Sequence, residues 1–545
     1  MLDGFVIFLY FAAVIGIGLY KGRGSRSMEA FAVGNRDIPW WAVLASIIAA
    51  EVSAATFLGA PNEGYRFRNF TYAQLALGTI LARVLVAFIF IKPYYEYRVV
   101  SIYDFLRIRF GERTKNGASA IFLVTRALAS GTRLFVAAII PVLAYEMIYG
   151  QQLTEQQQLW VYVAGVIFVT VATAIYTTLG GIKAVVWTDV IQASVMFGGL
   201  AFAIWSLLHH IPGGWEGAMS KLTGAKDLIF LDHGLDAGKS AVENLRSVLE
   251  SEYTIWAALF GATFLTLATH GTDQDMVQRM LTAKNYTRSR IAVILSGLTD
   301  LPLVLAFLLI GILLWAYYGD EGMNHPFAYY ILHELPPGLR GLLVAGVFAT
   351  AMGSLSTALN ALATSFTEDW YRPYIRPNAT PWEEVKAARW ATVVFSVVLI
   401  VIGSLTAYAH LILKSKVIPI VLGIFGYTYG SLLGVFLVGM LTRTRGNEWG
   451  NLIAMVLGFV AAGLMSGLHN DVYRLLVGDP SAVLFDIGLF PPVYRDGKLV
   501  PFAVEFPWRI TVGTVVTFVV AFLFRTPQET VDAARAHVEA QRQKQ

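Results

Sequence analysis

Two groups of polar residues sit in apolar surroundings where they would be costly without a task, and their chemistry is that of ion handling. Asp189 lies in YTTLGGIKAVVWTDVIQASVMFGG (176–199), an apolar run that follows a turn-like Gly180-Gly181 pair and one basic step at Lys183. A carboxylate inside hydrocarbon costs at least ~2.5 kcal/mol on insertion scales, so it marks a functional site by default; the alternative is a carboxylate at the membrane interface. In GLLVAGVFATAMGSLSTALNALATSF (341–366), Thr350, Gly353, Ser354 and Thr357 follow i, i+3, i+4, i+7 spacing and share one helix face. Hydroxyls on such a face either bond back to the preceding turn or join carbonyls as the oxygen ligands that a hard cation takes.

Three further stretches carry candidate chemistry. WAVLASIIAAEVSAATFLGAPNEGYRF (41–67) crowds Gly, Ala and Ser around Glu51 and closes on Gly59-Ala60-Pro61. Small residues suit close helix packing; Ser53, Thr56 and Pro61 also suit a helix that unwinds and frees its carbonyls for a cation. In RALASGTRLFVAAIIP (126–141), Arg133 stands within the apolar run. It either snorkels to the surface or pairs with a buried carboxylate, or it holds an anion through its two-pronged guanidinium. THGTDQDMVQRML (269–281) gathers His270, Asp273, Gln274, Asp275, Gln278 and Arg279, but no second histidine stands at ligand spacing, which argues against a catalytic metal. The nine histidines are scattered without a nucleophile–base or metal pattern, and there are no cysteines for thiolate chemistry.

The elements that position these residues follow from composition. Of 545 residues, 56% are apolar and 14% charged, against roughly 25% charged in soluble chains. Apolar runs near 3–20, 39–60, 72–94, 118–147, 158–178, 185–208, 252–275, 290–317, 330–368, 388–410, 417–440, 449–468 and 507–524 predict about thirteen membrane helices in an all-α polytopic protein. The first run lacks a cleavage site and is followed by Lys21, Arg23 and Arg26, so a retained helix with an external N-terminus is expected. Lys and Arg gather after the odd-numbered runs, as in 98–115 and 279–290, which places those connections and the C-terminus in the cytoplasm. This bias explains the net charge of +4 without a nucleic-acid partner. The longest polar connections are 209–251 and 469–506, and the tail 526–545 is expected to be cytoplasmic and too short for an enzymatic or signalling domain. Five runs followed by five more would make the second set insert upside down relative to the first, the inverted-repeat plan of many secondary transporters.

The string G-G-x-x-A-V-x-W-T-D-x-x-Q (180–192), the 341–366 helix, DQDMVQR (273–279) and GSLLGVFLVGML (430–441) resemble the solute:sodium symporter family, to which the sodium/glucose cotransporters belong, in its bacterial-type form. The resemblance spans roughly 1–525. It implies an extra helix at 3–20, inverted five-helix repeats at 39–208 and 252–440, and two added helices at 449–524. It also implies a common sodium site at the Ala49, Val52 and Thr350 carbonyls and the Ser354 hydroxyl, and a second at Asp189, Ser356 and Thr357. Ser53, Thr56 and Asp273 fall on substrate-facing positions; Arg133 lies on the helix where acid-transporting members use an arginine to hold their substrate, with Ser53, Thr56 and Gln74 available for neutral hydrogen bonds; Gln278 and Arg279 fall in the inner gate or a loop. The family's sugar-binding Glu-Gln pair is replaced by Ala55-Thr56, which argues against a hexose. Gly353 replaces the first serine of the family's S-S-L-S-S-x-x-N pattern and removes one expected hydroxyl ligand, leaving sodium stoichiometry open and a sodium-independent uniporter as the alternative. The expectation is a monomeric, cofactor-free sodium symporter of the inner or plasma membrane, importing a small polar, anionic solute; a neutral solute is the other choice, and a sensor or an enzyme is not expected.

Overall fold

The computed structural model describes all residues except 138, 150, 151, 225, 321, 413–422, 480, 481, 496, 497, 544 and 545. Among the described residues, ten helices are long and apolar enough to cross a bilayer, or eleven when the bent pair Trp40–Glu51 and Ala54–Phe67 counts as one span. The two further runs expected from hydropathy have physical explanations. Glu155–His210 contains 56 residues, about 84 Å at 1.5 Å per residue, far beyond a hydrocarbon core of ~30 Å. Gly181, at φ 56° and ψ −153°, breaks it between the runs expected at 158–178 and 185–208. A Cβ at Gly181 would stand 2.5 Å from the Phe31 carbonyl oxygen, so both the conformation and the close approach demand glycine. The run expected at 252–275 is the shorter apolar helix Ala257–Gly271, which begins in a π-helical turn, Ala257–Ala262. Part of the run expected at 417–440 lies outside the described residues; its helix is Ile424–Leu441. One short antiparallel hairpin, Val493–Arg495 with Lys498–Val500, interrupts the otherwise helical chain among the described residues.

The chain forms two compact units. The first comprises Met1–Ala73, Arg126–Phe230 and Gln278–Lys414. Its central element is Leu339–Phe366, whose apolar window is 89% buried, against 22% for the peripheral Leu2–Lys21. Ala54–Phe67 lies against Tyr286–Tyr318 through two glycines: a Cβ on Gly64 would strike the Leu308 carbonyl, and one on Gly311 the Pro61 carbonyl. Small residues let backbones approach where no hydrophobic force between helices is available in lipid.

The central helix is capped by another element. Gly338, which precedes Leu339–Phe366, offers no capping side chain. The Asp3 carboxylate accepts hydrogen bonds from Gly338 N–H at 2.6 Å and Gly341 N–H at 2.9 Å, so the first helix satisfies the start of the central one. Asp3→Ala should therefore lower stability by about 1 kcal/mol, as loss of an N-cap does, and Asp3→Asn should retain most of it. Thermal melts of the two purified variants check this.

The second unit comprises Gln74–Thr125, Leu231–Val277 and Ser415–Gln545. Glycine contacts again bring helices together: a Cβ on Gly430 would meet the Ile510 carbonyl at 2.6 Å, and one on Gly434 the Thr517 side chain at 2.5 Å. Tyr94, Tyr103, Phe105, Phe122 and Phe436 form a buried aromatic cluster. The tail beyond Arg525 folds as Gln528–Gln543 and is tied down by an Arg542–Glu96 ion pair of 2.9 Å.

Candidate functional site

The first unit contains a helix break that interrupts the backbone hydrogen-bond ladder. Helix Trp40–Glu51 ends at Val52 (φ −79°, ψ 94°), and the chain turns by 66° into Ala54–Phe67. Val52 N–H bonds to the Ile48 carbonyl and Phe57 N–H to the Ser53 carbonyl. Between them, Thr56 N–H turns to the Ser53 hydroxyl at 3.4 Å rather than to the Val52 carbonyl. Serine caps the second helix by competing for the amides that would have continued the first. The ladder that would occupy the carbonyls of Ala49 and Val52 is interrupted there. Ser53 and Thr56, expected to face substrate, are thus placed at the break, with their hydroxyls 3.4 Å apart.

The central helix passes directly beside the break. A Cβ on Gly353 would stand 2.9 Å from the Ala49 carbonyl oxygen and 2.9 Å from Gln192 Oε1. The departure noticed in the sequence therefore has a steric reason, since a side chain here would push against a backbone carbonyl. The hydroxyl stripe bonds back into its own helix. Thr350 donates to Val347 O at 2.8 Å, Ser354 to Thr350 O and Ala351 O at 3.1 Å each, Ser356 to Gly353 O at 3.1 Å, and Thr357 to Ser354 O at 3.0 Å. Back-bonding and cation binding are compatible, because a hydroxyl that donates its proton keeps acceptor lone pairs. The Ser354 hydroxyl and the Thr350 carbonyl, both expected in the common site, are brought together.

Asp189 is wholly buried, so it is not a solvated carboxylate at an interface. Its Oδ2 accepts from the Ser46 hydroxyl at 2.5 Å and stands 3.6 Å from Arg279 Nη1, and both charged side chains have no solvent exposure. The same Nη1 donates to the Ser46 carbonyl and, at 3.2 Å, to its hydroxyl. Three elements meet here: the pre-break helix, the long helix 155–210 and the segment after 277. The Tyr176 phenol neighbours Ser356, Gln192 and Thr188 and lies in the field of Asp189, which places Ser356 in the surroundings of the carboxylate. Next to Arg279, Gln278 Nε2 donates to Ala32 O at 2.7 Å, Asn360 Oδ1 at 2.5 Å and Thr364 Oγ1 at 3.2 Å, fastening residues 28–33 to the central helix. Arg133 is half-buried on helix Glu112–Ala137.

Two expected substrate residues belong to the second unit and hold its own backbone. Gln74 Nε2 donates to Tyr253 O at 3.1 Å and its Oε1 accepts from Asp232 N–H at 3.1 Å. Asp273 accepts from the Tyr429 hydroxyl at 2.7 Å and from Asp275 N–H at 2.9 Å, capping the helix that follows. Cavities of about 510 Å³ (Phe366, Tyr371, Trp390 and Phe395 among its walls) and about 480 Å³ (Asn62, Tyr65, Arg66 and Asp320) are lined by none of the expected substrate residues. No cluster of three or more His, Asp or Glu side chains suited to a metal occurs among the described residues.

Sequence reasoning missed Ser46 and Gln192 and placed Arg279 in a gate or loop without a partner. Gln192 lay within the W-T-D-x-x-Q string, three residues after Asp189 and so on the same helix face, which is the signal that could have singled it out.

The human sodium-coupled monocarboxylate transporter 1 is 26% identical over 519 residues, covering 92% of this chain and 79% of its own length. The sodium-dependent multivitamin transporter of Oryctolagus cuniculus is 29% identical, covering 85% and 70%, and the human sodium/iodide cotransporter 25%, covering 89% and 70%. Among solved structures, a Na+-coupled sialic acid symporter in a substrate-bound outward-open state superposes with a TM-score of 0.74 at 21% identity, covering 96% of this chain and 97% of that one. A nucleobase-cation-symport-1 family transporter superposes at 0.52 with 12% identity, covering 94% and 99%. These likenesses establish the five-plus-five inverted-repeat transporter fold. Residues 31–458 match the sodium:solute symporter family, and the chain belongs to it: a multi-pass membrane transporter with sodium as its coupling ion, not an enzyme.

Proposed function

We propose that this symporter imports a small monovalent anion, a carboxylate in the first instance, with two sodium ions per cycle. The observation that carries the reading is the interrupted ladder at Val52–Ser53 beside the hydroxyl-bearing face of Leu339–Phe366. In this reading, the Ala49, Val52 and Thr350 carbonyls and the Ser354 hydroxyl hold one sodium, and Asp189 with Ser356 and Thr357 holds the other. Arg133 takes the anion bidentately, with Ser53 and Thr56 as neutral hydrogen-bonding groups. Gln74 and Asp273 are kept as substrate-side residues whose present bonds must loosen for that role. The unwound segment and the central helix belong to opposite repeats, so rocking one against the other opens the site to either side of the membrane in turn. The N-terminus is placed outside and the C-terminus inside.

The choice of an anion is supported by relatives whose names specify monocarboxylate and iodide and by a solved neighbour named for sialic acid. The choice of two sodium ions rests on charge. One sodium with a monovalent anion moves no net charge and gains nothing from the membrane potential, whereas a second sodium restores ~2.3 kcal/mol per 100 mV. A thermal-shift screen of purified protein against monocarboxylates, halides, neutral sugars and amino acids, in sodium and in potassium, tests the reading. Stabilisation by an anion in sodium alone supports it; stabilisation only by neutral solutes, or equally in potassium, refutes the anionic symporter.

A further inference from the structure

The cavity of about 510 Å³ in the first unit is lined by none of the residues given to ions or substrate. It sits where the central helix gives way to a π-helical turn, Thr367–Ile375, and the chain doubles back into Pro381–Leu411. Phe366, Trp390, Val394 and Phe395 supply apolar walls, and Arg376, Glu383 and Lys386 supply the charged lining. Lys386, Trp390, Val394, Val397 and Val401 follow steps of three and four residues and so share one helix face. Its four apolar members are each at least half exposed, so the cavity opens onto an apolar strip. From Trp390 to Val401 the strip runs about 16 Å at 1.5 Å per residue, one leaflet of a ~30 Å hydrocarbon core. Arg376 is paired with Glu383 at 2.8 Å, whereas Lys386 makes no ion pair among the described residues and has the Trp382 ring 5.6 Å away. Two cations against one carboxylate leave a surplus of one positive charge beside an apolar groove.

We propose that this cavity binds one anionic phospholipid, its phosphodiester against Lys386 and Arg376 and one acyl chain along Phe366, Trp390, Val394 and Phe395. The bilayer presents such amphiphiles where a transmembrane helix meets the headgroups, and aromatic and basic side chains gather at that depth. An ordinary helix end offers only a surface, whereas this one has a volume within the range of small-molecule sites, roughly 300–1,000 Å³, that leads into a leaflet-long strip. A singly charged headgroup matches the surplus of one charge; a zwitterionic headgroup leaves it uncompensated. The alternative is a lysine that snorkels to the interface with its stem on apolar surface, which requires no particular lipid. Because Phe366 ends the central helix, a lipid seated here bridges that helix to Pro381–Leu411 and stabilises the fold by being bound to it.

Native mass spectrometry of the delipidated full chain, titrated with phosphatidylglycerol, phosphatidylcholine of the same chains or glycerol phosphate, counts bound molecules, and thermal melts read their effect. The expected result is one phosphatidylglycerol retained per chain with a raised melting temperature. Phosphatidylcholine, and glycerol phosphate with its charge but no chains, should have no comparable effect. Lys386→Gln should weaken phosphatidylglycerol binding about fivefold, the contribution of one basic side chain near a lipid surface. Val394→Trp, which fills the mouth of the groove from an exposed position, should weaken it at least as much with the lipid-free melting temperature unchanged. Lys284→Gln removes the same charge from an exposed position outside the cavity and should leave binding as in the parent. Equal retention of phosphatidylcholine, or binding of glycerol phosphate alone, overturns the proposal. So does parent-like phosphatidylglycerol binding in Lys386→Gln or Val394→Trp, and so does a loss in Lys284→Gln as large as in Lys386→Gln, which reduces the effect to general surface charge.

Discussion

Arg279→Ala is expected to destabilise the protein in sodium-free buffer by about 3–5 kcal/mol, the range for removing one member of a buried ion pair. The guanidinium and the Asp189 carboxylate are both fully buried and 3.6 Å apart, so the substitution strands a negative charge in a dry site. Arg279 in this state occupies the role that a cation near Asp189 would have, a positive charge carried on the chain itself. Sodium should therefore rescue the variant more than it stabilises the parent; at one hundred times its dissociation constant a bound ion restores ~2.7 kcal/mol. Adding Asp189→Asn to Arg279→Ala should also recover much of the loss, since the stranded charge is gone. Denaturation of the single and double variants with and without sodium measures both effects. Equal losses in the presence and absence of the Asp189 charge would assign the arginine's contribution to its bonds with Ser46 instead.

Asp189→Asn alone is expected to convert voltage-driven uptake into electroneutral uptake. Two sodium ions with a monovalent anion carry one net charge inward, and the variant, keeping only the common site, carries none. A potential of 100 mV and a tenfold sodium gradient together supply nearly 4 kcal/mol per ion, so losing one ion reduces the concentrating power by a factor of several hundred. Asparagine preserves shape and can still accept from Ser46, and the Ser46 carbonyl and hydroxyl continue to hold Arg279. Initial uptake rates at imposed potassium diffusion potentials read the effect. The same voltage dependence in parent and variant would make Asp189 a structural partner of Arg279 and nothing more.

What was legible in the sequence was whatever the membrane penalises. A carboxylate in an apolar run, a hydroxyl stripe in a buried helix and a serine-rich break all stand out because hydrocarbon makes polar groups expensive. Thus Asp189, the 341–366 stripe and the break near Ser53 were found from their own neighbourhoods, and so was the glycine joint at 180–181. Arg279 was visible but its partner was not: the pair is 90 residues apart in the chain, and only tertiary packing reveals that its charge is spent on Asp189. Gln192 gave little warning because a neutral amide disturbs the hydropathy pattern less than a charge does. Gln74 and Asp273 were read for their chemistry, while the structure finds both engaged in fastening backbone, a use that polar residues serve equally well and that no spacing pattern distinguishes.

The central claim is that sodium drives an anion through this chain. It is tested most directly in proteoliposomes containing the purified protein, by labelled monocarboxylate uptake after an inward sodium gradient is imposed at a negative internal potential. The account predicts accumulation above equilibrium that disappears when potassium or choline replaces sodium; uptake that proceeds equally in all three cations, and stops at equilibrium, would contradict it.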